Sequence, residues 1–273
     1  MKRLFLKMRF RREDDSWQMD EIDEKWQYIM LAVALILAMI FCCYYIICQS
    51  RWGFYTACIS TVKAGAMDEN TKRAYLTFDD GPSRQTGEIL DILDKNKVKA
   101  TFFVIGRDES YYDMYREIVK RGHTLGLHSY SHDYRKIYSS LPDFASDIEE
   151  LQNLLYDVTG TKSIYYRFPG GSSNRVSKTD MDTLIDYINK SGLVYFDWNA
   201  LNGDAVKEGY TPEQLVENIK ADLPGKNDVV ILMHDLDARH NTVESLQMLI
   251  DYLRMEGYEL LPIDENTPLV RHR

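Results

Sequence analysis

The sequence predicts an α/β fold, a parallel sheet or barrel, preceded by one membrane-spanning helix. Three observations carry this. Strand-like and helix-like runs alternate from residue 72 onward. The chemically unusual polar residues fall where the strand-like runs end, which is where parallel α/β folds place their active sites. Near the N-terminus, an apolar stretch runs without a charge, proline or glycine from residue 28 to 48.

In chain order, residues 1–27 carry Lys2, Arg3, Lys7, Arg9, Arg11 and Arg12. Residues 28–48 read YIMLAVALILAMIFCCYYIIC. About 20 such residues in a helix span a hydrocarbon core of roughly 30 Å. Basic residues are few after the stretch, beginning with Arg51, so the positive-inside rule puts residues 1–27 in the cytoplasm and the rest outside the cell membrane, single-pass. A cleaved signal peptide is the competing reading, but no small-residue site follows Cys48 closely; Ala64 and Ala66 lie well downstream. A buried core helix is the other alternative, and the length of the wholly apolar run argues against it. Residues 49–71 lack strong periodicity and read as a stalk, leaving 72–273 as the α/β domain.

Within that domain, residues 74–78 form a strand ending in the turn Asp79-Asp80-Gly81-Pro82. Residues 87–97 are helical, with Ile89, Leu90, Ile92 and Leu93 on one face. Further strands are expected at 100–105, 124–127, 164–168, 194–198, 229–233 and 258–261. Helices are expected at 111–121, 141–158, 178–190, 212–222 and 242–256, with Pro142 tolerated in the first turn of its helix.

Composition excludes some functions. The formal net charge is −9, and no basic stripe crosses the body of the chain, so nucleic acid is not a partner. The four cysteines, Cys42, Cys43, Cys48 and Cys58, all precede the domain. A metal site there must use His, Asp or Glu, and no disulfide framework holds it. The sequence implies no protein partner.

Four clusters carry chemistry. Asp79 and Asp80 are adjacent carboxylates after a buried strand, a costly pair unless each has a partner, and a metal cation would serve one of them. Solvated turn acids are the plain alternative. In His128-Ser129-Tyr130-Ser131-His132, two histidines four apart meet on one face of a helix or tight turn, suited to one divalent ion. With a carboxylate from the first cluster they give three protein ligands and leave a position open for water. The alternative is a pair of polar turn residues. Arg167 ends an apolar strand and needs an anion such as Asp79, while Gly170 and Gly171 let backbone N–H groups approach a ligand. His234 ends another apolar strand, placed as a proton donor or acceptor, or as a satisfied structural histidine.

These motifs, TFDDGP, HSYSH, RFPG and LMHD in this order, resemble the polysaccharide deacetylase family with the NodB homology domain (carbohydrate esterase family 4), over residues 72–262. The resemblance implies a distorted (β/α) barrel with fewer than eight regular strands. It implies Asp79 as general base, Asp80, His128 and His132 as metal ligands, His234 as general acid, Arg167 as the residue that orients Asp79, and Leu232 as lining for the acetyl methyl group. Two departures stand out. Gly170 occupies a position that is aromatic in many members, removing an aromatic wall while keeping an N–H for an oxyanion. Asp204 fits the acid that tunes His234, but Ala205 replaces the tryptophan that usually follows. Trp198 is the candidate to complete the acetyl pocket, with a core role as its alternative.

The expected reaction is metal-dependent hydrolysis of N-acetyl groups on an extracellular amino-sugar polymer, with peptidoglycan the leading cell-wall substrate. Zinc suits two imidazoles and a carboxylate; cobalt and nickel are also admitted. Rival readings are an O-acetyl esterase, a deacetylase of xylan, exopolysaccharide or a chitin-like oligomer, an inactive wall-binding protein, and a partner-binding ectodomain.

Overall fold

The computed structural model describes residues 71–207 and 209–273, together with Arg12–Glu13, Ser16–Trp17, Val33 and Leu37. The expected cytoplasmic segment, membrane helix and stalk otherwise lie outside the described residues. Among the described residues no helix is long and apolar enough to cross a membrane. The chain divides into two compact units, Met1–Met67 and Asp68–Arg273; the second carries the site.

Its elements are β1 Lys72–Asp79, α1 Thr86–Lys95, β2 Thr101–Ile105, α2 Tyr112–Lys120, β3 Thr124–Ser129, α3 Tyr134–Ile137, α4 Leu141–Thr159, β4 Tyr165–Tyr166, α5 Met181–Lys190, β5 Val194–Tyr195, β6 Ala200–Leu201, α6 Pro212–Asp222, β7 Asp228–His234, α7 His240–Met255 and β8 Tyr258–Leu261. Local chemistry sets the boundaries. Ser140 caps α4 by accepting from the Asp143 N–H, Pro142 sits in its first turn, and Gly160 ends it at φ 71°. Thr211 and Gln214 form a reciprocal capping box on α6.

The sheet order is β5-β4-β3-β2-β1-β7-β6, with β8 also on β1, and all pairs are parallel. One edge of β1 is shared: Lys72 to Tyr75 pair with β8, and Thr77 to Asp79 pair with β2. The chain passes from β5 at one end of this order to β6 at the other through residues 196–199 alone. Five Cα steps reach at most about 19 Å, whereas seven strands laid flat would separate their outer members by roughly 29 Å. The sheet must therefore curl until its edges approach. At the seam the Asp197 N–H donates to the Val270 carbonyl at 2.8 Å, so the C-terminal residues cover the gap.

Curling gives the sheet an inside and an outside, and side-chain alternation sorts the core accordingly. Leu76, Phe78, Phe102, Val104, Leu127, Ile231 and Met233 face the helices in the larger core. Tyr75, Phe103, Phe196, Val230 and Ile263 fill the interior.

The expected strands at 164–168 and 194–198 shrink to two residues each. Each ladder runs one bond further, Arg167 N–H to Leu127 O and Phe196 N–H to Tyr166 O, before the chain turns at Pro169 and Asp197. The helix expected from 178 begins at Met181, capped by Asp180. Strand β6 and helix α3 were not expected, being too short to show a period. Eight strands result, three of only two residues.

Gly126 tests the interior packing. A Cβ there would lie 2.5 Å from Phe103 Cδ1, and Phe103 is fully buried. Gly126→Ala is expected to destabilise the domain by about 1–3 kcal/mol through overpacking, read as a lower midpoint in denaturant unfolding with an unchanged slope.

Candidate active site

The inward positions that end β1 and β7, lie near the end of β3 and follow β4 carry the candidate functional side chains. Asp79 ends β1 and is in register with His234, which ends β7. His128 lies on β3, and Arg167 directly follows β4. Parallel pairing thus gathers residues far apart in sequence at one mouth of the barrel.

Arg167 is fully buried. Its Nη1 donates to Asp79 Oδ1 at 2.8 Å and Thr77 Oγ1 at 2.6 Å, its Nε to Phe196 O and its Nη2 to Asp197 O. The guanidinium lies 4.2 Å from the Phe103 ring centroid. Burial pushes the Asp79 carboxyl above the ordinary range, while Arg167 and then His234 pull it back. A carboxylate that is basic yet held in place is what a general base requires.

His234 Nδ1 lies 2.7 Å from Asp204 Oδ1. Asp204 Oδ2 accepts from the His234 N–H, the Thr242 hydroxyl and the Asn202 amide. Burial opposes charge on His234, but Asp204, with Asp79 and Asp80, overcomes it and raises the imidazole to about 9. Asp204 is buried, which favours its neutral form, yet His234 and Thr242 hold it below the usual carboxylate range. The pair is charged at neutral pH, with a proton to give.

Asp80, His128 and His132 each present a ligand atom, all within 4.8 Å of one another. His128 Nε2 is 3.4 Å and His132 Nε2 3.1 Å from Asp80 Oδ1, a buried oxygen without a hydrogen-bond partner. His128 Nδ1 lies 2.8 Å from the Arg167 carbonyl, which assigns the proton to Nδ1 and turns the Nε2 lone pair toward Asp80. Burial pushes His128 down to about 3, so no second proton bridges it to the carboxylate. Two acceptors facing each other in a buried site call for a cation, and the donor set fits a divalent ion. The histidines do not share a helix: His128 is on β3 and His132 in the following loop at φ 48°. Asp80 also has positive φ, 71°, and Arg107 binds its carbonyl.

Leu232 and His234 line a cavity of about 40 Å³ with Leu201, Gly203, Ala205 and Val206. Trp198 is absent from that lining. Its ring would come within 3.0 Å of a Cβ on Gly171 and meets His272 edge-on at 4.8 Å, so it supports the RFPGG turn from below rather than completing the cavity. Gly170 is exposed at φ 76°, and its N–H has no acceptor among the described residues.

Sequence reasoning missed two carboxylates that hold these loops. Asp147 on α4 is buried and accepts from the hydroxyls of Ser129 and Ser131 and the N–H groups of Tyr130 and Ser131, at 2.6–2.9 Å. Its signal was legible: an acid on the apolar stripe of Phe144, Ile148 and Leu151 cannot face water. Asp197 accepts from Ser172 N–H and Oγ and from the His272 N–H. Tyr134, beside His132, was also missed; burial first, then Asp80 and Asp79, push its phenol up to about 12.

A family model described as polysaccharide deacetylase matches residues 66–185. The Bacillus subtilis protein YheN is 36% identical over 195 residues, covering 68% of this chain and 65% of that one. A peptidoglycan-N-acetylglucosamine deacetylase of Bacillus cereus is 30% identical over 193 residues, 69% of this chain and 68% of the relative. The chain thus spans about two thirds of the length of these relatives. The crystal structure of the catalytic domain of peptidoglycan N-acetylglucosamine deacetylase from Eubacterium rectale matches with a TM-score of 0.72 and 38% identity, covering 78% of this chain and 98% of that one.

Two predictions follow from this geometry. The acid form of His234 exists below its pKa and is lost as pH rises past about 9; Asp204→Asn removes the charge that raises it, so the alkaline limb of kcat/KM moves to lower pH. Asp147→Asn sets an amide NH2 against groups that only donate to it here. It should weaken divalent-metal affinity about 10- to 100-fold, measured by competition with a chromogenic chelator.

Proposed function

The chain belongs to the polysaccharide deacetylase family and carries a polysaccharide N-deacetylase domain, and on that premise we propose that it removes acetyl groups from the N-acetylated amino sugars of peptidoglycan outside the cell. The observation that carries this reading is the convergence of three ligand atoms, from Asp80, His128 and His132, beside the Asp79 carboxylate, raised by burial, and the His234 imidazole, raised by Asp204.

A divalent ion held by those three residues would supply polarisation of the acetyl carbonyl and acidification of a water. Asp79, held by Arg167, takes the water's proton. The Gly170 N–H donates to the carbonyl oxygen as charge develops there, a contribution of about 3 kcal/mol for a good donor. His234 gives its proton to the amine nitrogen as the C–N bond breaks, and Asp204 stabilises the charge that His234 carries beforehand. Acetate and a free amine result. The cavity lined by Leu232 takes the methyl group.

The donor set favours zinc, with cobalt or nickel admitted. The apolar stretch 28–48, flanked by basic residues on its N-terminal side, supports a membrane tether with the domain on the outer face. A domain so tethered meets wall polymer first, and the names of the Bacillus cereus and Eubacterium rectale relatives agree with that substrate.

The purified chain should release acetate from N-acetylated peptidoglycan, lose this on chelation and regain it with zinc. Asp79→Asn should lower kcat by about 10²–10⁴-fold without loss of bound metal. Release from acetylated xylan alone would make the enzyme an O-acetyl esterase. Absence of release from either polymer by the zinc-loaded, folded chain would sink the peptidoglycan reading.

A further inference from the structure

We propose that Tyr134 is a substrate-contacting residue: its ring forms the wall of the cleft on the Gly170 side, and its hydroxyl donates to the amino sugar bound there. This rests on the deacetylase reading above and adds a specificity residue to the same site.

Gly170 sits at φ 76°, a conformation in which a side chain is strained, so this position can build no wall of its own. The space its Cβ would enter is faced by another residue. Tyr134 Oη lies 3.2 Å and Tyr134 Cε1 3.3 Å from that point, with Asn174 Cβ behind at 3.5 Å. An aromatic ring from α3 thus stands where the RFPG loop has none.

The ring is fixed from two sides. It meets His132 edge-on, with centroids 5.5 Å apart, and Tyr138 at 5.8 Å. The Tyr138 hydroxyl in turn donates to Pro169 O at 2.8 Å, tying α3 to the loop that carries Gly170. A preset aromatic face beside the metal ligands suits the apolar face of a pyranose, at low entropic cost. The hydroxyl is free. Tyr115, Tyr138 and Tyr258 donate theirs to Ile105 O, Pro169 O and Lys226 O, whereas that of Tyr134 makes no hydrogen bond among the described residues. Half-buried at the cleft, it is left with a ligand or water as its acceptor.

The test compares the zinc-loaded full chain, Tyr134→Phe and Tyr134→Ala on two substrates: an N-acetylglucosamine oligomer and 4-nitrophenyl acetate, which has the acetyl group but no sugar. Tyr134→Phe should lower kcat/KM on the oligomer about threefold to tenfold, the loss of one hydrogen bond. Tyr134→Ala should lower it at least about tenfold, mainly through KM. Aryl acetate turnover and bound zinc should stay within about twofold in both. Equal losses on the two substrates, or loss of zinc, would show that Tyr134 serves the metal site and not the sugar, overturning the proposal. Unchanged oligomer kinetics in both variants would overturn it as well. Inactivity of the parent chain on the oligomer would instead be a failure of the deacetylase reading, visible before any variant is made.

Discussion

The ion pair between Arg167 and Asp79 is the interaction on which the site depends. A fully buried guanidinium is tolerable only with its donors satisfied and its charge met. Arg167 achieves this by joining β1, through Thr77 and Asp79, to the chain leaving β5, through the carbonyls of Phe196 and Asp197. It therefore helps hold the curled sheet as well as fixing the Asp79 carboxylate. It also divides two adjacent carboxylates by role. Asp79 is matched by the guanidinium, whereas the Asp80 carboxylate, at positive φ, meets imidazole nitrogens alone among the described residues and keeps its demand for a cation. Removing Arg167 alone would leave Asp79 buried and unpaired, which typically costs about 3–5 kcal/mol. The orientation of Asp79 and the fold are for that reason not separable at this position.

The loops around this pair are short and lack disulfides, since no cysteine follows Cys58. They are held instead by buried carboxylates. Asp147 accepts four hydrogen bonds from the HSYSH loop, Asp197 fastens Ser172 to the C-terminal residues, and Asp235 binds the hydroxyls of Ser83 and Thr86 after the DDGP turn. Each satisfies backbone or hydroxyl donors that an apolar residue would strand, and each fixes a neighbour of a ligand or base. Part of the chain's acidity is thus internal, supporting the left-handed conformations of Asp80 and His132, which are costly for residues other than glycine.

The parts legible in the sequence were those with a period. The strands read at 74–78, 124–127 and 229–233 each end at a chemically unusual residue, Asp79, His128 or His234, and the ordered motifs named the family from those residues. The parts not legible were tertiary. Nothing local distinguishes Trp198 under Gly171 from Trp198 beside Leu232, because the choice depends on where the chain crosses from β5 to β6. Strand β6, two residues long, has no period to read. The histidine spacing allowed a helix, but the first histidine is held in a strand by the ladder to β4 and the second by the serines bound to Asp147. Asp147 itself was readable as an acid on an apolar stripe, though its partners were not.

The two departures from the family pattern have different structural consequences. At Gly170 the space of the missing side chain is faced by Tyr134 from α3, so an aromatic ring still stands beside this loop. At Ala205 no such replacement occurs: the cavity beside His234 is bounded by Leu201, Leu232 and Val206, and Val206 is 74% exposed. Its volume is about 40 Å³, room for a small group. On the proposed reading an acetyl methyl fills this space, and a longer acyl chain would have to displace Val206. On that reading, selectivity for the acyl group rests on an exposed aliphatic residue rather than on a packed indole. Such a wall yields more easily than a close-packed core, where a single added methylene is felt.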